Sequence, residues 1–142
     1  MSNAAQIVII GTGFSGLGMG IKLKEAGYDD FVILEQSDDI GGTWHENHYP
    51  GCACDVQSAL YSFSFEQNPN WTRMFARQAE IKDYLKGCAE KYGLMKHIRL
   101  NTHVAGAHYD ERTGSWTVET CSSPDLWSYM QKKGLKPGDA LD

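Results

Sequence analysis

The apolar positions along the chain group into stretches with different periods. Ile7-Val8-Ile9-Ile10 is an unbroken apolar run that stops at Gly11, the pattern of a short central strand buried on both faces of a parallel sheet. From Gly13 to Ala26, Phe14, Leu17, Ile21 and Leu23 trace an approximate helical face, and Gly27 stands where a left-handed residue ends a helix. Phe31-Val32-Ile33-Leu34 repeats the buried-strand pattern and closes at Glu35. Strand, helix and strand within about 30 residues predict a right-handed βαβ unit. Residues 36 to 77, rich in Gly, Asn, Pro and aromatics, carry no helical period, so a long irregular excursion is expected there, with a short strand where Tyr61, Phe63 and Phe65 alternate with serine. Ile81, Tyr84, Leu85, Cys88, Ala89 and Tyr92 recur at three and four, predicting an amphipathic helix from Gln78 to Tyr92, stopped by Gly93. Ile98, Leu100, Thr102 and Val104 alternate as a strand, and 105 to 109 with 115 to 120 read as a hairpin closed around Asp110 to Gly114. The fold class is therefore α/β: a parallel sheet with a βαβ unit and an antiparallel hairpin. Beyond Thr120 the patterning dissolves, so residues 121–142 are expected as an atypical tail and the sheet as unfinished at one edge.

Composition narrows the function classes. The 142 residues carry 13 Lys and Arg against 18 Asp and Glu, a formal charge of −5, and no basic run longer than Lys132-Lys133, which argues against a nucleic-acid partner. No stretch approaches the ~20 apolar residues that span a bilayer, so no membrane partner is expected. Met1-Ser2-Asn3-Ala4 lacks a basic region and reads, through residue 5, as a tag remnant rather than a signal peptide. Cys52, Cys54, Cys88 and Cys121 are too few for the disulfide framework of a small secreted domain, so a reducing, cytoplasmic setting is expected.

The chemistry concentrates near the N-terminus. Gly11-Thr12-Gly13-Phe14-Ser15-Gly16 is a G-x-G-x-x-G placed between a predicted strand and helix, with Glu35 at the end of the next strand. In that context the first glycine permits a tight turn, Gly13 admits a pyrophosphate, Gly16 admits close helix–strand packing, and the helix N-terminus stabilises the anion. Glu35 is placed to accept from adenosine ribose hydroxyls and would repel a 2′-phosphate, favouring FAD or NAD at this site. Trp44 offers a flat apolar face and Asp55 a carboxylate for a cationic partner. His45, His48, Cys52 and Cys54 include zinc-ligating types, but Cys-x-Cys is shorter than the usual spacing, so no metal site is expected. Cys88 reads as a small buried hydrophobe on the amphipathic helix, and His97, His103 and His108 as strand residues without a catalytic partner.

Gly41-Gly42-Thr43-Trp44, Tyr49-Pro50-Gly51, Asp55-Val56-Gln57-Ser58 and Tyr61 to Phe65, together with the glycine-rich motif, resemble the Baeyer–Villiger monooxygenases, flavin enzymes of the class B group. The likeness runs from Ile7 to about Val118. It implies a Rossmann-like FAD-binding domain over residues 6–120, partial relative to the family, with FAD on the first motif and NADPH on a second unit outside this chain. It implies that Thr43 and Trp44 lie along the flavin, that Tyr61 bonds near it, that Val104 meets the adenine through its backbone, and that Asp55 sits at the active site. Gly11, Gly13, Phe14, Ser15, Gly16, Glu35 and Gly42 complete the implied cofactor contacts. Small-molecule ketones and O2 would be the substrates, with esters or lactones as products. No second G-x-G-x-x-G follows, so this chain alone is expected to be inactive. The alternatives are a non-catalytic FAD or ADP-ribose-binding fragment and a monooxygenase that oxidises nitrogen or sulfur, against which the Tyr49 to Asp55 run speaks.

Overall fold

The computed structural model describes residues 4–122. Strand β1 (Ile7–Ile10), helix α1 (Phe14–Glu25) and strand β2 (Phe31–Leu34) form the expected βαβ unit, with β1 and β2 parallel and Ile7 opposite Phe31. Helix α1 ends as its sequence requires: Gly27, at φ +86°, donates to the Lys24 carbonyl at 3.0 Å and Tyr28 donates to that of Leu23 at 2.9 Å, the paired bonds that satisfy a helix's last carbonyls. The excursion after β2 is mostly irregular but holds a one-turn helix α2 (Thr43–Glu46) and a 3-10 turn at Ser58–Leu60. Helix α3 (Gln78–Lys91) follows, burying Ile81, Leu85, Cys88 and Ala89. Strand β3 (Ile98–Arg99) pairs in parallel with β2, and strands β4 (Thr102–Asp110) and β5 (Ser115–Ser122) form an antiparallel hairpin.

Four details differ from the sequence pattern. The alternation from Ile98 to Val104 is not one strand: Asn101, at φ +53°, donates to the Ser37 carbonyl, and the chain leaves the parallel sheet for the hairpin. Both halves obey the same period, so alternation alone does not reveal the break. Tyr61 to Phe65 is no strand, because the Phe63 N–H finds the Tyr84 hydroxyl at 2.9 Å and only a bridge from Phe63 to Glu66 forms. Strand β1 is not central among the described residues; the order is β1-β2-β3, with β1 at an edge. Val8 and Ile10, on the sheet face opposite buried Ile9, are exposed. Strand β5 also continues through Cys121, paired with His103, to Ser122, so the hairpin runs two residues past the expected start of the tail. The rest of the expected tail and residues 1–3 of the expected tag remnant lie outside the described residues.

The core lies between the sheet and the two long helices. Leu17 and Ile21 from α1, Ile33 from β2, and Ile81 and Leu85 from α3 are fully buried, joined by Ile40 and Leu94 from the connections. This packing fixes the C-terminal ends of β1 and β2, where the glycine-rich turn and Glu35 emerge.

Candidate cofactor site

The turn from β1 into α1 is held from beneath by its own glycines. Gly11 donates to the Leu34 carbonyl at 2.8 Å, tying the turn to the end of β2. A Cβ on Gly16 would lie 1.9 Å from the Gly11 carbonyl oxygen, so only glycine lets the first turn of α1 pass so close. A Cβ on Gly13 would meet nothing nearer than the Gly42 Cα at 3.9 Å. The space over Gly13 is open, as a turn that receives a ligand requires. Helix α1 starts there with no side-chain cap and no acidic residue in its first turn, so its first N–H groups and the positive end of its dipole are left for an anion.

Two clefts meet at this turn. One, of about 300 Å³, is lined on one side by Gly11, Gly13 and Gly42 and on the other by Glu35, His103 and Val104. The second, of about 330 Å³, runs past Phe14, Ser15 and Gly16 to Thr43, Trp44 and Tyr61. Ile10, Gly11 and Gly13 border both, so the clefts are two halves of one groove draped over the mouth of α1.

Glu35 is buried at the first cleft and carries a network that its sequence position does not disclose. One carboxylate oxygen accepts from the backbone N–H of Thr12 at 2.8 Å and from the Thr12 hydroxyl, and the other from the Ser37 N–H at 2.9 Å. Burial pushes this carboxyl up, but the Thr12 and Ser37 hydrogen bonds outweigh it and hold the group below the ordinary glutamate value. A carboxylate offers about four lone-pair positions; three are used here, leaving capacity for one hydroxyl donor from the cleft. Thr12, fully buried, is therefore a site residue that the motif hides at a variable position. Beside it, the Gln36 amide donates to Glu46 at 3.2 Å and its oxygen lies 3.2 Å from the His103 Nδ1.

The second cleft is walled by aromatic rings. Trp44 is only 8% exposed, so it serves as a wall packed into the core rather than as a free stacking face. Its indole N–H donates to the Tyr61 hydroxyl at 3.2 Å, the two rings meeting edge to face, and Phe14 packs edge-on to Tyr61 at 5.0 Å. The Gln78 side chain donates to the Trp44 carbonyl, fixing α2 to α3. Gly42, at φ +54° and with its Cβ position 3.0 Å from the Gly13 Cα, lets the second glycine pair rest on the first. Gln78, like Thr12, carries no motif signal.

All of the expected cofactor contacts except one line this groove. Asp55 is exposed, lies at neither cleft, and accepts no hydrogen bond among the described residues. His45, Cys52 and Cys54 find protein partners: His45 contacts Asp38 and Lys82, the Cys52 thiol donates to the Asn47 carbonyl, and the Cys54 sulfur accepts from the Val56 N–H.

Residues 9–78 match the model of the NAD(P)-binding Rossmann-like domain. A Baeyer-Villiger monooxygenase of Pseudomonas aeruginosa is 60% identical over 111 residues, which are 78% of this chain and 21% of that protein. The chain corresponds to the N-terminal part of a Baeyer–Villiger monooxygenase. Solved structures agree with that Baeyer–Villiger assignment. An oxidized steroid monooxygenase bound to NADP superposes with a TM-score of 0.78 at 37% identity, over 82% of this chain and 23% of that one. An open form of cyclohexanone monooxygenase superposes at 0.79 and 35% identity, over 84% of this chain and 24% of that one. The chain thus spans about a fifth of the length of the curated Baeyer–Villiger relative. Among the described residues no helix is long and apolar enough to cross a membrane.

Proposed function

We propose that this chain is the FAD-binding N-terminal portion of an NADPH-dependent flavin monooxygenase that oxidises small ketones with O2 to esters or lactones in the cytoplasm. The observation that carries the reading is the continuous groove over the uncapped end of α1, with a carboxylate in one half and an aromatic wall in the other. A dinucleotide has that order of parts. The groove fits FAD with its ribose at Glu35, its adenine against Val104, its pyrophosphate over Gly13 and the N–H groups of Phe14, Ser15 and Gly16, and its isoalloxazine toward Thr43, Trp44 and Tyr61. Bound flavin supplies the redox chemistry with oxygen. The residues of this chain bind and orient it: the helix end offsets pyrophosphate charge, Glu35 accepts a ribose hydroxyl, and Trp44 with Tyr61 excludes water from one side of the ring. Asp55, exposed on the loop beyond α2, is free to meet a cationic group from a second nucleotide-binding unit. Cys52, Cys54 and Cys88 are buried thiols outside any disulfide, which suits a reducing compartment.

The Tyr49-Pro50-Gly51 to Asp55 run favours ketone oxidation over oxidation of nitrogen or sulfur. Titration of the 142-residue chain with FAD and with ADP, followed by flavin fluorescence and calorimetry, tests the reading. Saturable binding of both is expected, and a chain that binds neither would overturn it.

A further inference from the structure

We propose that Lys82, on α3 and outside both halves of the groove, is a positioning residue for the flavin half. Its ammonium clasps the two ends of the turn that carries Gly41, Gly42, Thr43 and Trp44. The proposal rests on the groove being the FAD site.

The clasp is visible as two contacts from one ammonium. Lys82 Nζ lies 2.9 Å from Asp39 Oδ2, ahead of the glycine pair, and 2.9 Å from His45 Nδ1, beyond it. Its stem supports the turn as well, because a Cβ on Gly41 would stand 3.4 Å from Lys82 Cγ. An ammonium has only donors, so His45 Nδ1 must accept, and the imidazole is neutral with its proton on Nε2, donated to Asp38 Oδ1 at 2.9 Å. The same oxygen of Asp39 also accepts from Lys86 at 2.8 Å, and its second oxygen accepts from the Ile40 N–H at 2.9 Å. Gln78, one helical turn before Lys82, holds the Trp44 carbonyl. One face of α3 therefore grips the turn at its entry, its exit and its centre.

The glycine pair has no slack with which to absorb a displacement. Gly41 donates to the Thr12 carbonyl at 3.2 Å and Gly42 stacks on Gly13, so movement of the turn changes where Thr43 and Trp44 stand over the groove. Glu35, just past β2, and Val104, on β4, line the adenosine half, and of the turn Gly41 to Trp44 only Gly42 borders that half. Loss of the ammonium should therefore weaken FAD while sparing ADP.

The arrangement also requires His45 to stay neutral. A proton on Nδ1 would set an N–H against the ammonium and break the clasp. Asp38 from the turn and Lys82 from α3 are the charged groups that contact the imidazole among the described residues.

The test measures FAD and ADP affinities of the full chain as wild type, Lys82→Met and Lys82→Arg. Lys82→Met keeps the apolar stem and is expected to lose about tenfold in FAD affinity with ADP affinity within about twofold, and Lys82→Arg to restore most of the loss. Equal losses for FAD and ADP, or no loss for either, would overturn the clasp while leaving the groove reading intact. A wild type that binds neither ligand overturns the groove reading and the clasp with it. If Lys82→Met does not fold, the wild type decides: nitrogen NMR at neutral pH should find His45 as the Nε2–H tautomer with a hydrogen-bonded Nδ1, and the Nδ1–H tautomer would overturn the proposal.

Discussion

At the scale of single residues, two glycines of one motif are kept by different constraints. Gly16 is confined by the protein, since its Cβ would strike the Gly11 carbonyl, whereas Gly13 faces space that only a ligand would fill. Gly16→Ala should therefore lower stability by about 1–3 kcal/mol, the usual cost of forcing extra bulk into packed structure, seen as a lower urea midpoint. Gly13→Ala should leave that midpoint within about 0.5 kcal/mol, a range typical of sites away from packed features, yet lose ADP and FAD binding. Stability that falls equally in both would mean that Gly13 is also structural. The motif was legible in the sequence because spacing alone marks it. The share of Glu35 taken by Thr12 and Ser37 was not, because any residue type fits the variable position and only the folded turn brings that hydroxyl to the carboxylate. Asp55 was named from resemblance, and it stands exposed on the loop, outside both halves of the groove.

At the scale of elements, periodicity located both long helices and the first two strands, and it failed where one side chain redirects the backbone. Phe63 and Phe65 stack on one side of their segment at 5.0 Å, as alternation predicts, but no neighbouring strand is there to receive their N–H groups. Instead the Tyr84 hydroxyl accepts from the Phe63 N–H and donates to the Glu66 carbonyl at 2.7 Å, stitching the aromatic turn to α3. Burial pushes the Tyr84 phenol well above the ordinary tyrosine range, so the donor proton stays in place at working pH. Tyr84→Phe should cost about 1–3 kcal/mol, because two backbone groups lose their partner in a part-buried site. Thermal melting checks this, and an unchanged melting temperature would mean that water replaces the hydroxyl. No periodic signal encodes such a stitch, since Tyr84 sits at an ordinary apolar position of the helix.

At the scale of the whole molecule, four carboxylates among the described residues are held below their ordinary values and contribute together to the response to acid. For Asp39, burial raises the value but Lys86 and Lys82 overcome it; for Asp29 the Lys96 hydrogen bond leads; for Glu66 Lys91 and Tyr92 do; for Glu35 burial is overcome by Thr12 and Ser37. Each folded-state value lies below the unfolded one, so the native chain binds fewer protons. The corresponding stability is present above the unfolded carboxylate range and is lost as pH falls through the depressed values. Urea midpoints should be flat from about pH 7 down to about pH 5 and then drop below about pH 4.3, where free carboxylates begin to protonate. Asp39→Asn should lower the plateau and shallow the drop, and a drop of the same depth in that variant would remove Asp39 from the set.

The position of β1 at the edge of the sheet governs how copies of this chain behave toward one another. Among the described residues β1 has a strand partner on one side alone, and an apolar edge of that kind is a template for adventitious strand pairing. Val8 is 37% exposed and Trp116 64% exposed, and both border the space between β1 and the hairpin. Static light scattering should report a mass that climbs with concentration for the wild type and stays constant for Val8→Lys, because one ammonium on that strand makes stacking edge against edge costly while the groove over α1 is left untouched.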